Sequence, residues 1–306
     1  MVADLLPRRV DHSPPSPGSD RAVVVDTKRA PQRRLKRGQQ PSWLTLLPLT
    51  VFLVLALLGP LAIAASPVEQ SLVNRLAPPL FFGGDWEHPL GTDGLGRDLL
   101  IRIAVAARLS LLIGLVATAI TAAVGVTLGL LAGVIGGAVD RAISALVDIQ
   151  LAVPYVVVGI AVAATLGQSV GTVVIVLVLT GWVTFARVVR VQARVVRQSA
   201  YIQAAVVLGA SRSRVMLRHI LPNVLPAILV LASQSVGAVM LYEASLTYLG
   251  VGLPVERITL GGLVAEGQDL IFQAWWVTGL PGLAVALAIV GFNLLGDVLQ
   301  HHGGRR

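Results

Sequence analysis

The chain has 306 residues, 55% of them hydrophobic and only 13% charged, with a mean hydropathy of +0.78. Soluble domains carry about 25% charged residues, so an ordinary water-soluble fold is excluded. The net charge of +8 follows from arginines gathered on one side of a bilayer and calls for no nucleic-acid partner. Without a cysteine, neither disulfides nor thiolate metal sites are available.

Residues 1–42 are basic, proline-rich and without apolar periodicity, which predicts a disordered basic tail. The uncharged run 43–68 is too long, and its polar lead too long, for a cleaved signal peptide; it reads as a first membrane span. An extracytoplasmic loop with an amphipathic segment is expected over 69–108. Over 109–300 uncharged runs recur at 109–139, 149–186 and 270–296, with another from about 222 to 250 broken only by Glu243. A span needs about 20 residues, so 149–186 holds two, with the turn at "GQSVG", 167–171. The expectation is an all-α polytopic membrane protein with six transmembrane helices and a short tail at 301–306. With the first segment inside, the inner segments hold 19 of the 24 lysines and arginines and the outer loops 5. That bias puts both termini, and the arginine-rich stretch at 187–221, on the cytoplasmic side.

That stretch contains "YIQAAVVLGASRSRVMLRHILPN" at 201–223. Tyr201, Ala204, Ala205 and Leu208 share one helical face. Gly209 suits a left-handed turn, and Ser211 suits the cap of a second helix. That helix would carry Met216, Leu217, Ile220 and Leu221 on one side, with Arg214 and Arg218 on another, and close at Pro222. Such an element either lies on anionic lipid or docks into a groove on a soluble partner; the residues alone leave both open.

The spacing Gln203-Ala204-Ala205, Gly209, Leu221-Pro222 resembles the coupling motif of inner-membrane permease subunits of ABC importers. More narrowly, "HPLGTDGLGRDLL" at 88–100, "DIQLAVP" at 148–154, "LGASRSRVMLRHILPN" at 208–223, "EASLTYLGVGLP" at 243–254 and "PGLAVALAIVGFNLLGD" at 281–297 are similar to the dipeptide, oligopeptide and nickel permease branch. The resemblance implies the type I importer fold, with a cytoplasmic coupling helix between spans 4 and 5. It implies a multi-pass protein of the bacterial cell membrane, working with a homologous permease, two ABC ATPase subunits and an extracytoplasmic solute-binding protein. Its ATPase-coupling residues would be Gln203, Ala204, Ala205, Gly209, Arg214, Met216, Leu217, Leu221 and Pro222. ATP and magnesium would belong to the partner ATPases, and small peptides or a related solute would be carried. Two departures stand out: in the coupling motif Gln203 replaces the usual glutamate and His219 an isoleucine, and the outer loop after Gly252 reads "LPVERITLGGLVAEGQ" where relatives usually have a proline-and-tryptophan segment.

No phosphate-binding loop occurs in the chain, and no cofactor, catalytic group or metal is assigned to it. His88, Asp93 and Asp98 have poor ligand spacing, and Asp98 is expected to pair with Arg102 one helical turn on. Glycines 91, 94 and 96 are expected to shape a tight outer turn. Glu243, an acid inside a span, is expected to serve either as a pathway residue or as a hydrogen-bonding tie between helices. Asp148 and Asp297 are expected near inner span ends, with partners such as Arg141, and Pro154 and Pro281 are expected to kink their helices. A self-sufficient secondary transporter of a small polar solute is the alternative; it would require repeated halves with broken helices, and no such repeat is visible.

Overall fold

The computed structural model describes residues 43–62 and 66–303; the expected tail at 1–42 and the segments 63–65 and 304–306 lie outside them. Among the described residues there is no strand, only one isolated antiparallel bridge between Thr92 and Asp98. Helix α1 spans Leu47–Ala62. A segment with short 3-10 turns leads to α2, Leu99–Ile135, whose first turn is capped by Asp98 accepting the Ile101 N–H at 3.0 Å. Then come α3 (Gly137–Ala152), α4 (Tyr155–Leu166), α5 (Val170–Arg197), α6 (Ala200–Val207), α7 (Arg212–Arg214), α8 (Leu221–Tyr248), α9 (Leu260–Gly267) and α10 (Trp276–Gly303).

Among the described residues four helices are long and apolar enough to cross a membrane: α2, α5, the continuous rod Arg212–Tyr248 and Trp276–His301 within α10. The α3–α4 pair forms a fifth if its two halves, bent by 86°, count as one crossing. Pro154 therefore breaks its helix rather than kinking it. It has no N–H to donate and disfavours helical backbone at the residue before it, and Val153 is accordingly extended. Helix α1 has 16 residues, about 24 Å at the usual rise, against a hydrocarbon core of about 30 Å. Helix α5 runs on to Arg197, so much of the charged stretch expected as a loop from 187 continues the preceding helix.

The tightest packing joins α2 to α5. Gly125, Gly129 and Gly133 recur every fourth residue along one face of α2, so the backbones meet directly. A β-carbon at Gly129 would stand 2.7 Å from the Ala186 carbonyl oxygen and 2.9 Å from Val189 Cβ; one at Gly133 would stand 2.8 Å from Ala193 Cβ. A second core joins α1, α2, α8 and α10 through Phe52, Ala56, Leu111, Met240 and Ala288, all buried.

Candidate functional site

The segment after α5 folds as a helix, a turn and a helix. Ser199 precedes α6, and Ile202 is the one fully buried residue of that short helix. It packs with Val215, Ile220 and Val224, and with Val189 and Ala193 of α5 and Leu130 and Val134 of α2. Gly209 turns the chain with φ +86°, a conformation that costs other residues about 1–2 kcal/mol. Ser211 then caps α7, accepting the Arg214 N–H at 3.3 Å.

Beyond α7 the backbone takes one π turn, Val215–Ile220, and passes without a stop into α8. Pro222 therefore sits in the first turn of the long helix and does not close a short one. Widening the turn re-pairs carbonyls that an imino acid cannot serve. It also shifts the inner face from the expected Met216, Leu217, Ile220 and Leu221 to Val215, Ile220 and Val224, the i, i+5, i+9 pattern of the buried cluster. Leu217 faces outward at 54% exposure, and Met216 and Leu221 are half-buried.

Gln203, Ala204, Arg214 and Pro222 are exposed and Ala205 is half-buried. The Gln203 side chain reaches only the Gln198 carbonyl, at 3.3 Å. The Tyr201 hydroxyl accepts from Asn223 at 3.1 Å, and the His219 ring stands edge-on to that of Tyr201, centroids 6.5 Å apart. Within this segment the most protruding apolar side chains are Val207 and Leu208, 85% and 87% exposed. Val207 was not singled out from sequence; it flanks the glycine turn in an unbroken apolar run, which is the signal that identifies it. A groove of about 730 Å³ lies beneath the turn, lined among others by Gly136, Arg194, Arg197, Gln203 and Arg212. At its edge Asp140 pairs with both Arg190 and Arg194, while Asp148 and Asp297 are exposed.

At the other end of the bundle, the loop before α2 is fixed by an ion network. Gly91 and Gly96 have positive φ and Gly94 does not, so two of the three expected glycines shape the turn. Asp93 accepts from the Leu95 N–H (2.8 Å), the Arg97 N–H (3.0 Å), Arg97 Nε (2.6 Å) and Arg102 Nη1. Burial opposes ionisation of Asp93, but those backbone N–H groups and the Arg102 charge outweigh it and hold its carboxyl below the ordinary value. The expected Asp98–Arg102 pair does not form: Asp98 caps α2 and pairs with His88 at 2.9 Å. Arg102 instead meets Glu266 of α9 through Nη1 at 2.9 Å and Nη2 at 3.2 Å. His88 is also 3.3 Å from Asn74 Nδ2. Among the described residues no group of three or more His, Cys, Asp or Glu is placed to hold a metal ion.

Glu243, near the C-terminal end of α8, is fully buried. It accepts from Ser110 of α2 at 3.1 Å and from Thr247 at 3.1 Å. Ser110 in turn accepts the Leu260 N–H at 3.3 Å, so this one carboxylate links α8, α2 and the start of α9. It is enclosed within the subunit and not presented at its surface.

Comparison with known proteins agrees with this architecture. The family described as the binding-protein-dependent transport system inner membrane component matches residues 125–306. The chain is 38% identical over 252 residues to a protein of Escherichia coli (strain K12) named a probable D,D-dipeptide transport system permease, covering 82% of this chain and 83% of that one. It is 34% identical over 269 residues to the dipeptide transport system permease protein of Bacillus subtilis, covering 88% and 82%. It is 36% identical over 246 residues to the di/tripeptide transport system permease protein of Pseudomonas aeruginosa, covering 80% and 81%. A self-sufficient secondary transporter is thereby set aside: the chain is a multi-pass membrane permease that belongs to the inner-membrane component family of binding-protein-dependent transport systems.

Proposed function

We propose that this chain is one of two permease subunits of an ATP-driven importer of small peptides, and that the α6–Gly209–α7 element is where an ATPase subunit attaches. One observation carries the attachment reading. Val207 and Leu208 project from a helical turn whose other side, Ile202 with Val215 and Ile220, is locked into the core, and the same rod then continues into α8. A force applied to that apolar tip reaches the rod that begins at Arg212 through the buried contact of Ile202 with Val215 and Ile220. Gln203, Ala204, Ala205, Met216, Leu217, Leu221 and Pro222 form the flanks of this contact, and Arg214 orients an acidic rim on the partner. ATP and magnesium bind the partner ATPases. A second homologous permease completes the path, and an extracytoplasmic binding protein delivers the solute. The topology has six crossings, with α1 and the bent α3–α4 pair as the first and third, and both termini cytoplasmic, as the arginine distribution favours. Peptides are favoured because the names of three relatives specify dipeptide or di/tripeptide transport.

The test is co-expression with the ATPase, second-permease and binding-protein partners, followed by detergent extraction and capture on this chain. ATPase chains should copurify, and cells should take up radiolabelled alanyl-alanine only when ATP is available. Capture of this chain without any ATPase would overturn the importer reading; ATPase capture without dipeptide uptake would overturn the peptide assignment.

A further inference from the structure

Midway along the bundle, α2, α5, α8 and α10 frame a cleft of about 270 Å³ whose lining carries no charged residue. It nevertheless carries polar groups on a largely apolar lining. Thr118 and Thr121 of α2 line it, 4% and 2% exposed, and neither hydroxyl has a hydrogen-bond partner among the described residues. Thr184, Gln234, Ser235 and Asn293 add hydroxyls and amides at the same level. Gly181 keeps the floor open: a β-carbon there would stand 2.9 Å from Thr121 Cγ2.

Each of these residues lies well inside a helix that crosses the membrane, at a depth where polar groups facing lipid are costly. Two buried hydroxyls left unpaired on one wall are a further cost unless something bonds them. The face bearing this cleft is thus a poor lipid face, whereas Leu229, five residues before Gln234 on the same helix and 50% exposed, is a good one.

We infer that this cleft is the subunit's hydrogen-bonding wall of the solute path and that it takes the uncharged amide groups of a peptide backbone. Hydroxyl and carboxamide groups both donate and accept, so they match a peptide unit whatever its side chains. The absence of a fixed charge lets solutes of different net charge pass without a tight electrostatic trap. The inference rests on the permease reading above and adds to it the residues and the chemistry of contact.

The natural lack of cysteine provides a direct test in the assembled complex, reconstituted in proteoliposomes. Gln234→Cys, Asn293→Cys and, as a lipid-face control, Leu229→Cys are exposed to a water-soluble, charged methanethiosulfonate reagent, with and without trapping by ATP and vanadate. Positions 234 and 293 should react about 10-fold faster or more than 229, because the thiolate forms only where water reaches it, and trapping should change their rate. In parallel, Thr121→Val should raise the KM for alanyl-alanine uptake several-fold without lowering complex yield. Rates at 234 and 293 as slow as at 229 in both states, or a Thr121→Val variant with unchanged uptake, would overturn the cleft assignment. If ATPase copurification and dipeptide uptake persist in those complexes, the importer reading stands and only the wall is elsewhere.

Discussion

Arg102 and Glu266, 164 residues apart in sequence, meet through two parallel hydrogen bonds of 2.9 and 3.2 Å, and the same guanidinium contacts Asp93. Arg102 is 2% exposed, so removing it leaves the buried Asp93 with Arg97 as its remaining charged partner. Breaking one side of a buried pair costs about 3–5 kcal/mol. Arg102→Ala should therefore lower the thermal midpoint in detergent sharply, whereas Glu266→Gln, on the partly exposed side, should lose about 1 kcal/mol or less. Equal losses from the two variants would show that the network is not organised around Arg102.

Asp93 makes the acid limit of stability predictable. Its carboxyl titrates below the ordinary 3.8 because backbone N–H groups and Arg102 overcome the effect of burial. The folded state therefore binds this proton less readily than the unfolded chain does. The contribution is complete above about pH 4 and declines as pH falls through the lower, folded value. Asp93→Asn should be less stable than the parent at pH 7 and should show a shallower loss of stability below about pH 4. Circular-dichroism melts between pH 3 and 7 read both; parallel curves for the two proteins would remove Asp93 from the acid response.

Much of this arrangement is legible in the sequence, and the misses have identifiable causes. Uncharged runs of about 20 residues place α2, α5, α8 and α10 because lipid demands continuous helix with its backbone bonds satisfied internally. Gly209 and Ser211 behave as their residue types require at a turn and a cap. The inner face of the helix after Ser211 departs from the one a 3.6-residue period predicts, because the π turn before Pro222 changes the period locally. Asp98 was paired with Arg102 by helical spacing, yet Asp98 lies at the cap and Arg102 turns to partners outside its own helix. That outcome depends on Glu266, more than 160 residues away, which local spacing does not reveal.

The glycine stripe of α2 supports a packing prediction. At Gly129 a β-carbon would sit 2.7 Å from a backbone oxygen of α5, and neither helix has a flexible side chain there to yield. Gly129→Val should separate α2 from α5 and cost about 1–3 kcal/mol or more, with reduced yield of folded protein from membranes. Gly282→Val provides the contrast, since nothing lies within 4 Å of a β-carbon there, and should be milder. Comparable yields and melting temperatures for the two variants would mean that the α2–α5 contact is looser than its geometry indicates.

The α6–Gly209–α7 element yields the sharpest prediction because its two sides are physically distinct. Val207 and Leu208 are almost fully exposed, so Val207→Asp and Leu208→Asp remove no core contact and should leave yield and melting temperature unchanged. Burying either carboxylate in an apolar groove of a partner without a counter-charge is expensive. Both variants should therefore lose ATPase copurification by about 10-fold or more, and uptake with it. Gly209 separates strain from contact: a β-carbon at φ +86° meets nothing within 4 Å, so Gly209→Ala has only the left-handed backbone to overcome, about 1–2 kcal/mol. Gly209→Asn, which tolerates that conformation better, should recover most of the loss. Ile202→Asp, by contrast, places a charge in the buried cluster and should unfold the element outright. The diagnostic pattern is intact folding with lost attachment at 207 and 208 and lost folding at 202. Normal ATPase capture by Val207→Asp and Leu208→Asp would move the docking surface elsewhere and leave this turn as an amphipathic element on the lipid surface.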